Sequence, residues 1–158
     1  MVLSSYAKIN LSLTVNSRQK NNLHEIQSYF CLVNLTDKIK LKKIKKKRDK
    51  ISFKGPFAKL IKKSNNSVTN LLKMLRRSGL ISDYYSVTIF KNIPVFAGLG
   101  GGTGNAAVIL KHLCKQKMNR KLLNKLEKTV GSDLRLFFYN QGFLKNLQTI
   151  MDFKRKQK

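Results

Sequence analysis

Apolar and polar residues alternate cleanly from Ala7 to Val15. Ala7, Ile9, Leu11, Leu13 and Val15 fall on one side, and Lys8, Asn10, Ser12 and Thr14 on the other. A period of two marks a half-buried strand. It places Lys8 and Asn10 side by side on the face away from the core. Ser17 to Asn22 is polar and reads as a turn, and Glu25 to Leu35 reads as a second strand returning antiparallel. Asp37 to Lys45 and Lys50 to Lys54 read as short strands around a basic turn, stopped by Gly55 and Pro56. The period then lengthens. Val68, Leu71, Leu72 and Leu75 recur at helical spacing, with Ser67 opening the helix and Gly79 closing it. Tyr84 to Lys91 is a strand with Tyr85, Val87 and Ile89 on one face. A glycine-rich loop leads into a helix from Asn105 to about Cys114, and a further helix covers Lys121 to Thr129. Gly131-Ser132-Asp133 is a turn, and Leu134 to Tyr139 is short and apolar. There is no internal repeat. Strands first, then a helix–strand–helix succession, predict an α+β sandwich with a mixed or antiparallel sheet packed on helices.

At 158 residues the chain has room for one domain with a real core. No apolar run has the length of a membrane span, and Met1 to Tyr6 lacks the basic start and apolar stretch of a signal peptide. The cytoplasm is the expected location, with no membrane partner. Cys31 and Cys114 stand alone and read as reduced core thiols. With His24 and His112 the only histidines, no protein-built metal site is expected. The net charge of +26 has two readings. One is a polyanionic partner such as RNA, bound through counterion release. The other is a lysine-filled ordinary surface. The densest run, Lys38 to Lys50, contains Ile39, Leu41 and Ile44 and suggests an edge strand and turn with a solvated face. That second reading is preferred for this run.

The chemistry concentrates in Lys91 to Ala107, KNIPVFAGLGGGTGNAA. Gly98 and Gly100 to Gly102 carry no side chain, and they sit between a strand and a helix. Bare backbone N–H groups at the positive end of a helix dipole form a seat for phosphate. Two familiar templates fail. No Gly-Lys pair supplies a Walker A loop, and the glycine spacing misses the dinucleotide fingerprint.

The run from Pro94 through Gly-Leu-Gly-Gly-Gly-Thr to Asn105-Ala106-Ala107 resembles the ATP loop of the GHMP kinase superfamily. Three more segments follow in order. Ala7-Lys8-Ile9-Asn10-Leu11, Leu23-His24-Glu25-Ile26, and Gly131-Ser132-Asp133 with Phe137-Phe138 are similar to segments of the branch that phosphorylates 4-diphosphocytidyl-2-C-methyl-D-erythritol. The resemblance implies the N-terminal domain of that superfamily, a fold shared with domain 2 of ribosomal protein S5. It implies a kinase of isoprenoid precursor synthesis that moves the ATP γ-phosphoryl group, with Mg²⁺, to a hydroxyl of the small-molecule substrate. Phosphoryl transfer needs held phosphates, a proton acceptor and positive charge where negative charge builds up. The loop would hold ATP through Pro94, Val95, Phe96, Ala97, Gly98, Leu99, Gly100, Gly101, Gly102, Thr103 and Gly104. The resemblance makes Asp133 the general base, although an Asp after a turn is also a common helix cap. It makes Lys8 the catalytic lysine, and Asn10, His24 and Phe30 the substrate contacts. Surface and core roles are the alternatives for Lys8, His24 and Phe30. Lys91 reads as a solvated strand end.

Three positions depart from the family pattern. Leu23 stands where the branch carries a tyrosine, leaving only apolar contact for a cytosine. Arg135 stands where it carries a proline, and a guanidinium beside Asp133 would depress the carboxyl and weaken it as a base. The family also has a C-terminal domain. Here residues 1–153 read as the N-terminal domain and 154–158 as a basic tail, so the second domain is expected to be absent or supplied by a separate chain.

Overall fold

The computed structural model describes residues 1–18, 24–62, 64–114, 119–146 and 149–153, with the backbone alone at 16–18 and 24–25. Seven strands form the sheet: β1 (Val2–Asn10), β2 (Thr14–Arg18), β3 (His24–Ile44), β4 (Lys50–Lys54), β5 (Tyr84–Phe90), β6 (Gln141–Asn146) and β7 (Thr149–Asp152). The helices are α1 (Ser67–Arg77), α2 (Gly101–Cys114) and α3 (Arg120–Val130), followed by a 3₁₀ turn at Leu134–Phe138.

The spine is β3. The two strands expected at Glu25–Leu35 and Asp37–Lys45 are one continuous element of 21 residues. One flank pairs antiparallel with β5 and β6, and the other with β1 and β2. Only β4 and β5 run parallel, so the sheet is mixed. The lysine run from Lys38 to Ile44 is therefore not an edge strand; it pairs with β5 on one side, and Lys38 to Lys40 also with β1. The edge is β4. The solvated face is as expected: Lys38, Lys40 and Lys42 are exposed, while Ile39 and Leu41 face the helices.

The strand read as Ala7 to Val15 is shifted. It begins at Val2 and stops at Asn10. The chain then bends before β2, so the alternation outlasts β1, and Leu11, Leu13 and Val15 are exposed. Ser17 lies at the end of β2, and most of the polar turn expected after it lies outside the described residues. The β6–β7 hairpin was not expected at all; Gly142 and Leu144 are its inward positions.

The helices cover one face of the sheet. α1 places Val68, Leu71, Leu72 and Leu75 inward, as its period requires, against Val87, Ile89 and α2. Its cap is Asn66, whose side chain accepts from the Thr69 N–H at 2.9 Å. Gly79, at φ +67°, ends it in the left-handed region. α3 repeats the device with Asn119 and the Leu122 N–H at 2.8 Å. α2 is different: Ala106, Ala107, Ile109 and Leu110 are wholly buried, so it runs through the interior as the central helix. It also starts at Gly101, earlier than the expected Asn105, because the last glycines of the loop form its first turn. Cys114 is buried as expected, and Cys31 is half-buried. No helix among the described residues is long and apolar enough to cross a membrane.

Candidate active site

The glycine loop leaves the end of β5, arches, and enters α2. Gly98 and Gly100 take φ +73° and +65°, a region glycine enters freely. Phe96 takes φ +63° with a side chain 89% exposed, an uncommon strain for a non-glycine residue. The Gly104 N–H donates to the Gly100 carbonyl at 2.8 Å, closing the first helical turn. The N–H groups before it have no partner within the helix, so the loop meets an anion with unpaired donors and the positive helix end.

A cleft of about 440 Å³ opens against this loop. Its walls are Pro94 to Thr103 on one side, and Leu60, Ile61 and Asn65 to Val68 on the other. Its polar floor is Lys91 and Asn105. Its lining combines apolar side chains such as Leu60, Ile61 and Val68 with the glycine-rich backbone from Gly98 to Gly102.

Asp133 and Lys8, the residues expected to act on the substrate hydroxyl, also adjoin the loop. The Asp133 carboxylate lies so close to Gly100 that a β-carbon added there would sit 3.0 Å from Oδ2. The 3₁₀ turn that follows Asp133 does not use this side chain as a cap. Asp133 is held by the turn Gly131-Ser132-Asp133, and Gly131 lies directly against the Thr103 hydroxyl of α2. Thr103 thus joins the loop to the aspartate turn.

Lys8 is 4% exposed and is not on a solvated face. A register shift between Tyr6 and Ala7 breaks the alternation, so Ala7 and Lys8 are buried in succession. The Lys8 N–H donates to the Leu99 carbonyl at 3.0 Å, fastening β1 to the loop. Its Nζ donates to Asn10 Oδ1 at 2.8 Å. Burial holds the ammonium below the usual lysine range, and the negative charge of Asp133 opposes that shift. Sequence positions 8 and 133 thus both adjoin the loop, at Leu99 and Gly100, near enough for the charge of one to act on the other.

The other expected residues fare differently. Phe30 is 1% exposed and packs with Leu136 and Leu144; it fills a small core rather than lining the opening. The backbone of His24 opens β3, while its side chain and Leu23 lie outside the described residues. Arg135 does not turn toward the loop. Its Nε donates to Glu127 Oε1 at 2.6 Å, Nη2 donates to Oε2 at 3.0 Å, and Asn124 accepts another bond. The expected burden on Asp133 is replaced by a fork on α3.

Lys91, read as a solvated strand end, is 2% exposed. Its ammonium is paired with Asp37, which is fully buried. Asp37 carried no signal of a role, because its partners lie far along the chain. Among the described residues, no group of three His, Cys, Asp or Glu side chains stands ready to hold a metal on its own.

Residues 65–140 match the family model described as the GHMP kinases N-terminal domain. A 4-diphosphocytidyl-2-C-methyl-D-erythritol kinase of Pelagibacter ubique is 37% identical over 136 residues, covering 84% of this chain and 48% of that protein. The enzyme of the same name from Ureaplasma parvum is 32% identical over 161 residues, covering 96% of this chain and 59% of that one. The chain thus spans about half the length of the curated relatives it matches. A solved 4-(cytidine 5'-diphospho)-2C-methyl-D-erythritol kinase superposes with a TM-score of 0.69 at 23% identity, over 97% of this chain and 55% of that one. A Methanococcus jannaschii mevalonate kinase gives 0.59 at 16% identity, over 98% of this chain and 56% of that one; both matches concern the fold. The loop, its aspartate and these likenesses together place the chain in the GHMP kinase superfamily, as a carrier of its N-terminal domain.

Proposed function

We propose that this chain binds ATP in the cleft and transfers its γ-phosphoryl group to a hydroxyl of 4-diphosphocytidyl-2-C-methyl-D-erythritol, a step in isoprenoid precursor synthesis. One observation carries the reading: the Asp133 carboxylate stands directly against Gly100 of the loop, and the buried Lys8, whose backbone N–H is bound to the neighbouring Leu99 carbonyl, lies near enough to feel its charge.

Adenosine lies in the cleft between the loop and the stretch from Leu60 to Val68, and the triphosphate lies on the amides from Gly98 to Thr103. Asp133 accepts the proton of the attacking hydroxyl. The freed oxygen bonds to the γ-phosphorus as the bond to the β-phosphate oxygen breaks, and ADP leaves. A base placed in this way contributes about 10²- to 10⁴-fold. Lys8 orients the hydroxyl and balances charge gathering on the transferred group. Asn10 fixes the Lys8 ammonium through their hydrogen bond. His24 is the proposed cytosine contact.

The donor set suits Mg²⁺ delivered with the nucleotide. Magnesium is commonly bound by phosphates, waters and one or two protein oxygens rather than by a protein cage, and the Thr103 hydroxyl is an oxygen that the loop could offer it. When bound, the ion neutralises phosphate charge. ATP supply fits a cytoplasmic location. Whether the purified chain turns over this substrate with Mg-ATP, and loses that turnover in Asp133→Asn, is the direct test. Equal turnover in the variant removes Asp133 as the base.

A further inference from the structure

Both ends of the glycine loop are tied to one buried carboxylate that touches neither the cleft opening nor the Lys8–Asp133 pair. Asp37 is fully buried in the middle of β3. Its Oδ1 accepts from the backbone N–H groups of Asn92 at 2.8 Å and Ile93 at 2.9 Å, where the chain leaves β5 for the loop. Its Oδ2 is paired with the Lys91 ammonium. The same oxygen accepts from Asn105 Nδ2 at 3.0 Å, one turn inside α2 where the loop ends. Asp37 is not itself among the residues lining the cleft; Lys91 and Asn105 are. The Lys91 ammonium lies under the loop, 3.0 Å from where a β-carbon on Gly101 would stand. With its amide nitrogen committed to Asp37, Asn105 has its carbonyl Oδ1 left buried without a partner at the cleft floor.

A buried carboxylate is costly unless it is fully hydrogen-bonded. This one satisfies a cation, two backbone donors and a side-chain amide at once. Those four groups come from the entry and the exit of a loop that otherwise consists of residues with little to pack. A phosphate seat made of backbone amides works only if the amides converge before the ligand arrives. We propose that Asp37 is a positioning residue for ATP, clamping the two ends of the glycine loop so that its amides are preset for the triphosphate. The inference rests on the reading of the loop as the ATP seat.

The test separates clamping from charge and from folding. Two double variants, Asp37→Asn/Lys91→Met and Asp37→Ala/Lys91→Met, both remove the buried ion pair. The first keeps a carbonyl oxygen for the Asn92 and Ile93 N–H groups, and the second does not. Binding of a non-hydrolysable ATP analogue with Mg²⁺ is measured by calorimetry. Hydrogen exchange at Asn92 and Ile93 is measured alongside it. The clamp predicts at least tenfold weaker binding in the alanine variant than in the asparagine variant, with at least tenfold faster exchange at those two amides. Equal affinities in the two variants, with the parent binding normally, overturn the role of Asp37 and leave the ATP seat standing. A parent chain that binds no analogue overturns the seat itself and the clamp with it. If the alanine variant does not fold, Asn105→Leu takes its place, since it leaves the ion pair whole and cuts the tie to α2. At least threefold weaker binding is then expected, and unchanged binding overturns the clamp.

Discussion

Adding one methyl group at Gly100 tests how tightly the loop is fitted to its base. The conformation itself costs something: φ is +65°, and a side chain in the left-handed region costs about 1–2 kcal/mol. The space costs more. The new β-carbon would lie 2.6 Å from Phe137 Cζ and 3.0 Å from Asp133 Oδ2. Carbon contacts are comfortable at about 3.5–4.0 Å, so the parts must separate by about 1 Å. Phe137 is buried in the core and cannot yield freely. Overpacking of this kind costs about 1–3 kcal/mol, which brings Gly100→Ala to about 2–5 kcal/mol in total. Gly98→Ala is the internal control. Its φ is similar, +73°, but an added β-carbon meets nothing within 4 Å, so it loses only the conformational part of about 1–2 kcal/mol. The Asp133 turn is the part most able to move, and a misplacement of about 1 Å at a reacting group costs about a hundredfold in rate. Urea unfolding of both variants measures the stability difference, and release of ADP measures turnover. Gly100→Ala is expected to be the less stable by about 1–3 kcal/mol and to turn over about a hundredfold more slowly. Two alanine variants alike in stability and in turnover would refute the packing argument.

Asp133→Asn is expected to lower turnover by about 10²- to 10⁴-fold while Mg-ATP affinity, read by calorimetry, stays within a few-fold. Lys8 is held below its ordinary pKa chiefly by burial, so the unfolded chain binds more protons between that lowered value and 10.5. Stability from this group therefore rises as pH climbs through the window. Melting temperature followed from neutral to alkaline pH should show the rise in the parent and not in Lys8→Met; a rise of the same size in the variant assigns it elsewhere. Arg135→Ala should cost about 1–3 kcal/mol through the lost fork with Glu127 and leave the acid limb of the pH–rate profile in place. A shifted limb would mean that the guanidinium does act on Asp133.

Local punctuation was legible in the chain. Gly79 ends α1 as expected and the inward rows of α1 follow its period, whereas the caps Asn66 and Asn119 stand one residue before each helix and were not read from the chain. The loop was legible through the residues that flank its glycines, from Pro94 to Ala107, because bare glycines between a strand and a helix also suit a flexible turn. What escaped was long-range. Asp37 is separated from Lys91 by 54 residues and from Asn105 by 68, and no window of sequence joins them. Lys8 looked solvated because strict alternation hides a register shift, and the shift is set by the partner strand. Leu11, Leu13 and Val15 continued the pattern past the end of β1, where neither the bend nor β2 buries them. The β6–β7 hairpin is short and carries glycine and polar residues at its start, and its burial comes from β3 and Phe30 rather than from its own composition. Arg135 was misread because a close neighbour in sequence, Asp133, is not its partner in space; Glu127, eight residues earlier on α3, takes its charge.

The most direct test of the account is phosphorylation of 4-diphosphocytidyl-2-C-methyl-D-erythritol by the purified chain with Mg-ATP, run beside Asp133→Asn. The account predicts turnover in the parent, its loss in the variant, and nucleotide binding in both. Turnover that survives the substitution, or a parent that binds no Mg-ATP, contradicts it.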